Sequence, residues 1–143
     1  MPRPPLRSGI SRKVQVAFYT EKILDHARRP RKFGRLVDPD VQFEELNPLC
    51  GDRIRIELRL ADGGQILEAR FSGEMCAIAK GSASILFESV EGRTVAAILG
   101  ISDLQVLESL AGAIPKNRIQ CALLPISALR GAVRVEANRR PLT

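Results

Sequence analysis

The segment Asn47-Pro48-Leu49-Cys50-Gly51-Asp52 sets a thiol and a carboxylate two residues apart, with a glycine between them. Two further cysteines follow, Cys76 and Cys121, and no others. If the three sulfurs and Asp52 meet in space, they form a four-donor metal site. Soft thiolates select Zn²⁺, Cu(I) or iron–sulfur clusters. A set of three cysteines and one aspartate suits tetrahedral Zn²⁺, and equally a cluster with one weak, hard oxygen ligand. The alternative is three separate buried free cysteines and a surface aspartate, since cysteine is among the most often buried residues. Cysteine spacings of 26 and 45 residues match no CxxC-type zinc pattern, so spacing alone leaves both readings open.

The elements that must position these groups can be read from periodicity. Phe18 to Arg29 reads as a helix on Phe18, Ile23, Leu24 and Ala27, stopped by Pro30. The single histidine, His26, lies near its end and is expected to be a surface or hydrogen-bonded residue rather than a ligand. Val41 to Leu46 reads as a short strand ended by the Asn47-Pro48 turn signal. Arg53 to Leu60 alternates, with Ile54, Ile56, Leu58 and Leu60 on one side and Arg53, Arg55, Glu57 and Arg59 on the other. Asp62-Gly63-Gly64 is a hairpin turn, and Ile66 to Phe71 returns with Leu67, Ala69 and Phe71 on its apolar face. Helical spacing then runs from about Cys76 to Val90, from Val95 to Leu99, and from a Ser102/Gln105 capping box to Ala111 before Gly112. The last helix opens at Cys121, takes Pro125 in its first turn and runs to about Val135. Strands and helices are segregated, which predicts an α+β domain: a three-stranded antiparallel sheet with one face covered by helices. Each cysteine thus falls at the end of an element, and the Cys76 and Cys121 helix starts favour thiolate. In an extended segment Cys50 and Asp52 would point to one face.

A chain of 143 residues that is 45% apolar suits one domain. We divide it into a basic, proline-rich tail (1–17), a single domain (18–137) and a C-terminal tail (138–143). Residues 1–13 carry Arg3, Arg7, Arg12 and Lys13, no acid and no apolar segment of signal-peptide length. They are expected to be dispensable for folding, with a short organellar targeting segment as the alternative. No apolar run approaches the roughly 18 residues of a membrane span, so a cytoplasmic protein is expected. The net charge of +6 sits largely in the tails and lacks the aromatic interleaving of a nucleic-acid binder, so no nucleic-acid partner is expected.

Tyr19-Thr20-Glu21-Lys22-Ile23-Leu24-Asp25-His26 followed by Pro30-Arg31 resembles the opening motif of iron–sulfur cluster assembly scaffolds of the NifU/IscU type. Asn47-Pro48-Leu49-Cys50-Gly51-Asp52 is similar to their N-P-x-C-G-D motif. Gly73 to Ala79 with Ser82-Ala83-Ser84 is similar to their second motif, and Arg118-Ile119-Gln120-Cys121-Ala122 to their third. Gly51-Asp52-Arg53-Ile54-Arg55 and the segment around Cys121 are closest to the SufU branch. Three features depart from the family pattern. Gln120 stands where the IscU branch has histidine, the Cys76–Cys121 gap lacks the usual SufU insertion, and Met75 replaces a glycine at the site mouth. Pro115-Lys116-Asn117-Arg118 only loosely resembles the IscU chaperone-binding segment.

The resemblance implies a SufE/NifU-like α+β architecture, with Cys50, Asp52, Cys76 and Cys121 as metal or cluster ligands. It also implies a pyridoxal-phosphate cysteine desulfurase as sulfur donor. One implied function is a non-enzymatic scaffold that builds a transient cluster, of the 2Fe–2S type, and passes it to apo-proteins. The other is a zinc-containing sulfurtransferase of SufU type that relays persulfide sulfur, with Cys121 the candidate acceptor. Lys80, one helical turn beyond Cys76, and Arg118 are candidate cations to offset the charge of the site.

Overall fold

The computed structural model describes residues 21–110 and 114–139. Helix α1 is described over residues 21–28. Strands β1 (Val41–Asn47), β2 (Asp52–Leu60) and β3 (Ile66–Glu74) follow, then α2 (Ala77–Phe87), α3 (Val95–Leu99), α4 (Asp103–Ser109) and α5 (Ile119–Arg139). A 3₁₀ turn, Lys116–Arg118, leads into α5. The expected tail at 1–17, the start of the first helix at Phe18, and Ala111 and Gly112 lie outside the described residues. The expected C-terminal tail begins inside α5, and only its residues 140–143 lie outside.

The strands form one antiparallel sheet in the order β1-β2-β3, as the alternation predicts. Ile54, Ile56 and Leu58 are fully buried beneath Leu129, Ala132 and Val133 of α5 and Phe87 of α2, in one aliphatic core. Phe43 of β1 reaches toward Gly131, where a Cβ would stand only 2.4 Å from the ring. α1 approaches α2 as closely at Gly81, where a Cβ would meet the Ile23 carbonyl oxygen at 2.6 Å. His26 fixes that contact, its Nδ1 lying 2.8 Å from the Ser84 hydroxyl, which also accepts the Arg31 N–H. His26 is therefore a buried, hydrogen-bonded residue. Its pKa is lowered, chiefly by burial and by the nearby Arg31 charge.

Three details differ from the periodic reading. A register shift between Arg59 and Leu60 pairs Arg59 with Glu68 and Leu60 with Ile66. Leu67 is the extra residue of this bulge, so it is half exposed and Ile66 takes its place in the core. Glu57, on the polar side of β2, is buried because the 31–40 loop folds over it: it accepts from Leu36 N–H and from the Arg35 and Arg55 side chains. Pro125 lies inside α5 rather than in its first turn, because α5 begins at Ile119 and continues to Arg139.

Candidate metal centre

The turn between β1 and β2 is built on Asn47. Its side-chain oxygen accepts from Leu49 N–H, and its carbonyl accepts from the N–H groups of Cys50 and Gly51. Gly51 has φ +76°, a left-handed conformation that glycine adopts without strain. The segment is thus a tight turn leading into β2, as the Asn47-Pro48 signal indicates. Cys50 and Asp52 converge through the turn, not through the pleat.

One donor atom each from Cys50, Asp52 and Cys121 lies within 4.8 Å of the others. The sulfurs of Cys50 and Cys121 are 3.5 Å apart. Cys121, in the first turn of α5, is buried, whereas Cys50 is exposed. Cys76 stands at the edge of this group. It is the N-cap of α2, and its sulfur accepts the Ala79 N–H at 3.5 Å. It is still close enough to Cys121 to act on its ionisation.

Asp52 does two things. Its Oδ1 accepts the Cys76 N–H at 2.9 Å, which ties the start of β2 to the start of α2. Its Oδ2 is buried with no hydrogen-bond partner among the described residues. A buried carboxylate oxygen left unpaired is costly, and a cation within the cysteine group would remove that cost. Two thiols and one free carboxylate oxygen at this spacing, with a third thiol at the edge, fit a thiophilic metal or cluster.

Burial pushes the Cys121 thiol up to about 12, helped by its contact with Cys50 and by the nearby Cys76. A hydrogen bond from Arg118 opposes the shift, and the guanidinium is itself held charged by that bond and by the field of the cysteines. Of the two candidate cations, Arg118 is thus at the site. Lys80 is directed elsewhere, with its Nζ over the Phe33 ring at 4.7 Å from the centroid. Gln120 is exposed and lines a cleft of about 300 Å³ beside the cysteines, together with Asn47, Pro48, Leu123 and Arg130. Met75 packs against the main core. Asn47 gave only a turn signal in the sequence, and the tie from Asp52 to the Cys76 amide gave no signal at all, because it joins residues 24 apart.

The profile described as "NifU-like N terminal domain" matches residues 18–140, nearly the whole chain. The chain belongs to this family. It is 34% identical over 127 residues to the iron–sulfur cluster assembly scaffold protein IscU of Azotobacter vinelandii, covering 87% of this chain and 98% of that protein. It is also 34% identical over 135 residues to the zinc-dependent sulfurtransferase SufU of Bacillus subtilis, covering 82% of this chain and 90% of that one. The α+β fold is shared with the N-terminal region of a nitrogen-fixing NifU-like protein from Brucella abortus. That structure has a TM-score of 0.68 at 22% identity and covers 81% of this chain and 92% of its own. Family membership bears out the resemblance carried by the four motifs. Both functional branches expected from those motifs are represented among the relatives. Among the described residues no helix is long and apolar enough to cross a membrane.

Proposed function

We propose that this protein is an assembly scaffold that receives sulfur from a pyridoxal-phosphate cysteine desulfurase, holds a nascent iron–sulfur cluster on Cys50, Asp52, Cys76 and Cys121, and passes it to apo-proteins. The observation that carries this reading is the convergence of the Cys50, Asp52 and Cys121 donors around a buried, unpaired carboxylate oxygen. The three thiols supply tight, soft ligation, and the lone carboxylate supplies a hard ligand that exchanges readily. A site that must release its cargo needs one such ligand.

Exposure divides the labour among the thiols. Cys50 is open to solvent, on a turn flanked by the exposed Leu46 and Leu49, where an apolar partner surface can reach it. It is the thiol that meets the donor. Its thiolate attacks the outer sulfur of the desulfurase persulfide, forming a Cys50 persulfide and releasing the desulfurase thiolate. The Cys121 sulfur lies 3.5 Å away and can take that outer sulfur in a second exchange, its thiol proton passing to the Cys50 sulfur that leaves. Each exchange breaks one S–S bond and forms one, so no external oxidant is needed. Cys121 therefore accepts persulfide sulfur from within the site rather than from the partner.

The second reading, a zinc-based relay, has its own support in the SufU relative named as a zinc-dependent sulfurtransferase. The same four residues would hold Zn²⁺, which would fix the thiols as thiolates. Metal analysis and an absorption spectrum of anaerobically purified protein decide between the two. Iron with acid-labile sulfide and a brown sample supports the scaffold; stoichiometric zinc in a colourless sample supports the relay. A preparation that binds neither under reducing conditions, while folded, removes both.

A further inference from the structure

α5 carries Cys121, yet its first turn is weakly tied to the rest of the helix. In an α-helix the Cys121 carbonyl would accept from residue 125. That residue is Pro125, which has no N–H, and its ring pushes against the carbonyl four residues back. The helical ladder is therefore interrupted directly at the ligand. In regular helical geometry the Leu123 and Leu124 amides bond to Ile119 and Gln120 and the Ile126 amide to Ala122, so the one rung missing is the one at Cys121.

A bond from outside the helix is made directly beside this gap. Ser82, in the middle of α2, donates its hydroxyl to the Ala122 carbonyl at 2.7 Å, with both residues buried. A serine inside a helix ordinarily bonds back to its own preceding turn or to water. Ser82 instead gives its proton to the residue after Cys121. α2 is also the helix capped by Cys76, six residues earlier. The hydroxyl thus links the helix that follows one cysteine to the turn that contains another. Ala122 shares an apolar cluster with Ile23 and Leu110, against which Ile78 and Ile85 of α2 pack, but such packing does not fix the rotation of the first turn, as a directional bond does.

We propose that Ser82 is a positioning residue for Cys121. Its hydroxyl, given to the carbonyl next to the one that Pro125 leaves without a helical donor, anchors the turn that the missing rung loosens and sets the Cys121 thiol in register with the other donors. The inference rests on the reading of Cys121 as a ligand.

The test uses the full chain in four forms: wild type, Ser82→Ala, Pro125→Ala, and the double variant. Zinc affinity is measured by chelator competition, sulfur ligation by the charge-transfer absorption of the cobalt(II) form, and first-turn opening by amide exchange of Leu123 and Leu124 without metal. Ser82→Ala is expected to lower zinc affinity about fivefold and to speed that exchange by a similar factor, the worth of one hydrogen bond. Pro125→Ala restores the ladder bond, so the double variant should recover both values. A folded Ser82→Ala protein with wild-type affinity and unchanged exchange overturns the proposal. If Ser82→Ala alone does not fold, the double variant decides: wild-type affinity supports the proposal, and a folded protein with weakened affinity overturns it. Cys121→Ser is run alongside. If it loses zinc while Ser82→Ala does not, the positioning role fails and the ligand reading stands. If Cys121→Ser keeps zinc at wild-type affinity, the ligand reading itself fails.

Discussion

Two buried carboxylates lie on the same strand, five residues apart, and they are used in opposite ways. Glu57 is 2% exposed and Asp52 is 6% exposed. Glu57 accepts one backbone N–H and two guanidinium groups, so both oxygens are engaged at 2.6–2.8 Å. Asp52 spends Oδ1 on the Cys76 amide and leaves Oδ2 without a partner. Burial of a charged group is tolerated when every lone pair is used and costs free energy when one is not. Glu57 therefore reads as structure: it clamps the 31–40 loop onto the outer face of the sheet. Asp52 reads as a group kept ready for something that arrives later. In the local sequence Asp52 is marked by the preceding Cys50-Gly51, whereas Glu57 is one more polar position in the alternation between Arg55 and Arg59.

The sharpest way to break this comparison is at the thiols that surround Asp52. Cys50→Ser, Cys76→Ser and Cys121→Ser are each expected to lower zinc affinity more than about a hundredfold, beyond the loss typical of a supporting residue. A hydroxyl is a poor substitute for thiolate. The Cys76 variant is the most informative, because its sulfur now caps α2 and must turn toward the site to ligate. If Cys76→Ser bound zinc as tightly as wild type, the site would hold two cysteines and Asp52, and Cys76 would be a cap alone.

Asp52 itself comes next, and its two oxygens can be separated. Asp52→Ala removes both the free donor and the tie to the Cys76 amide. Asp52→Asn keeps an acceptor for that amide and removes the charge. Zinc affinity should fall about ten- to a hundredfold in both, while exchange of the Cys76 amide should quicken only in the alanine form. On the scaffold reading, a cluster reconstituted on either variant should decay and transfer more slowly than on wild type, because the labile ligand is gone. On the relay reading, zinc weakens and stimulation of the desulfurase is lost. Unchanged behaviour in all these assays would return Asp52 to the same class as Glu57.

Glu57→Gln is the matching control. It should lower stability by about 2 kcal/mol, mostly through its partly buried partner Arg55, with the share of the exposed Arg35 discounted for screening. Zinc affinity should not change. Burial alone would raise the Glu57 pKa. The bonds from Leu36 N–H, Arg55 and Arg35 more than offset it, so the folded value lies below the ordinary 4.5. A depressed carboxyl contributes stability above its unfolded pKa and loses it as pH falls through the folded value. Denaturant midpoints for the variant should therefore fall less steeply below about pH 4.5 than those of wild type. An equal slope in the two proteins would mean that Glu57 titrates alike folded and unfolded.

The sequence made the scaffold of the site readable and left its last steps hidden. The alternation of β2 and the capping box Ser102/Gln105 are local signals, and the structure has both. The four proposed ligands could be named because a family motif marks each of them. What stayed hidden depends on contacts between distant segments. The bulge that exposes Leu67 needs the register of β2 against β3. The burial of Glu57 needs a loop 21 residues earlier to fold over it. Lys80 looks like a site cation at helical spacing from Cys76, but its Nζ lies over the ring of Phe33, 47 residues earlier. Ser82 sits among small residues that suggest only close packing, and its bond to Ala122 joins residues 40 apart.

The smallest expected effect tests whether the turn that brings Cys50 to Asp52 is set before metal arrives. Gly51 sits at φ +76°, and a Cβ there would meet nothing within 4 Å. Gly51→Ala therefore adds conformational strain and no clash, unlike Gly81, where Cβ would press on the Ile23 carbonyl at 2.6 Å. The strain of an alanine in the left-handed region is about 1 kcal/mol. Where that cost falls is the informative part. If the metal-free protein already holds the turn through Asn47, the melting temperature of apo-protein drops and zinc affinity stays within about twofold of wild type. If metal pulls the turn into place, apo-protein is unaffected and the cost falls on binding, as a loss of about fivefold. The hydrogen bonds of the Asn47 carbonyl to both Cys50 and Gly51 favour the first outcome. The second would show that Cys50 and Asp52 are brought together by what they bind.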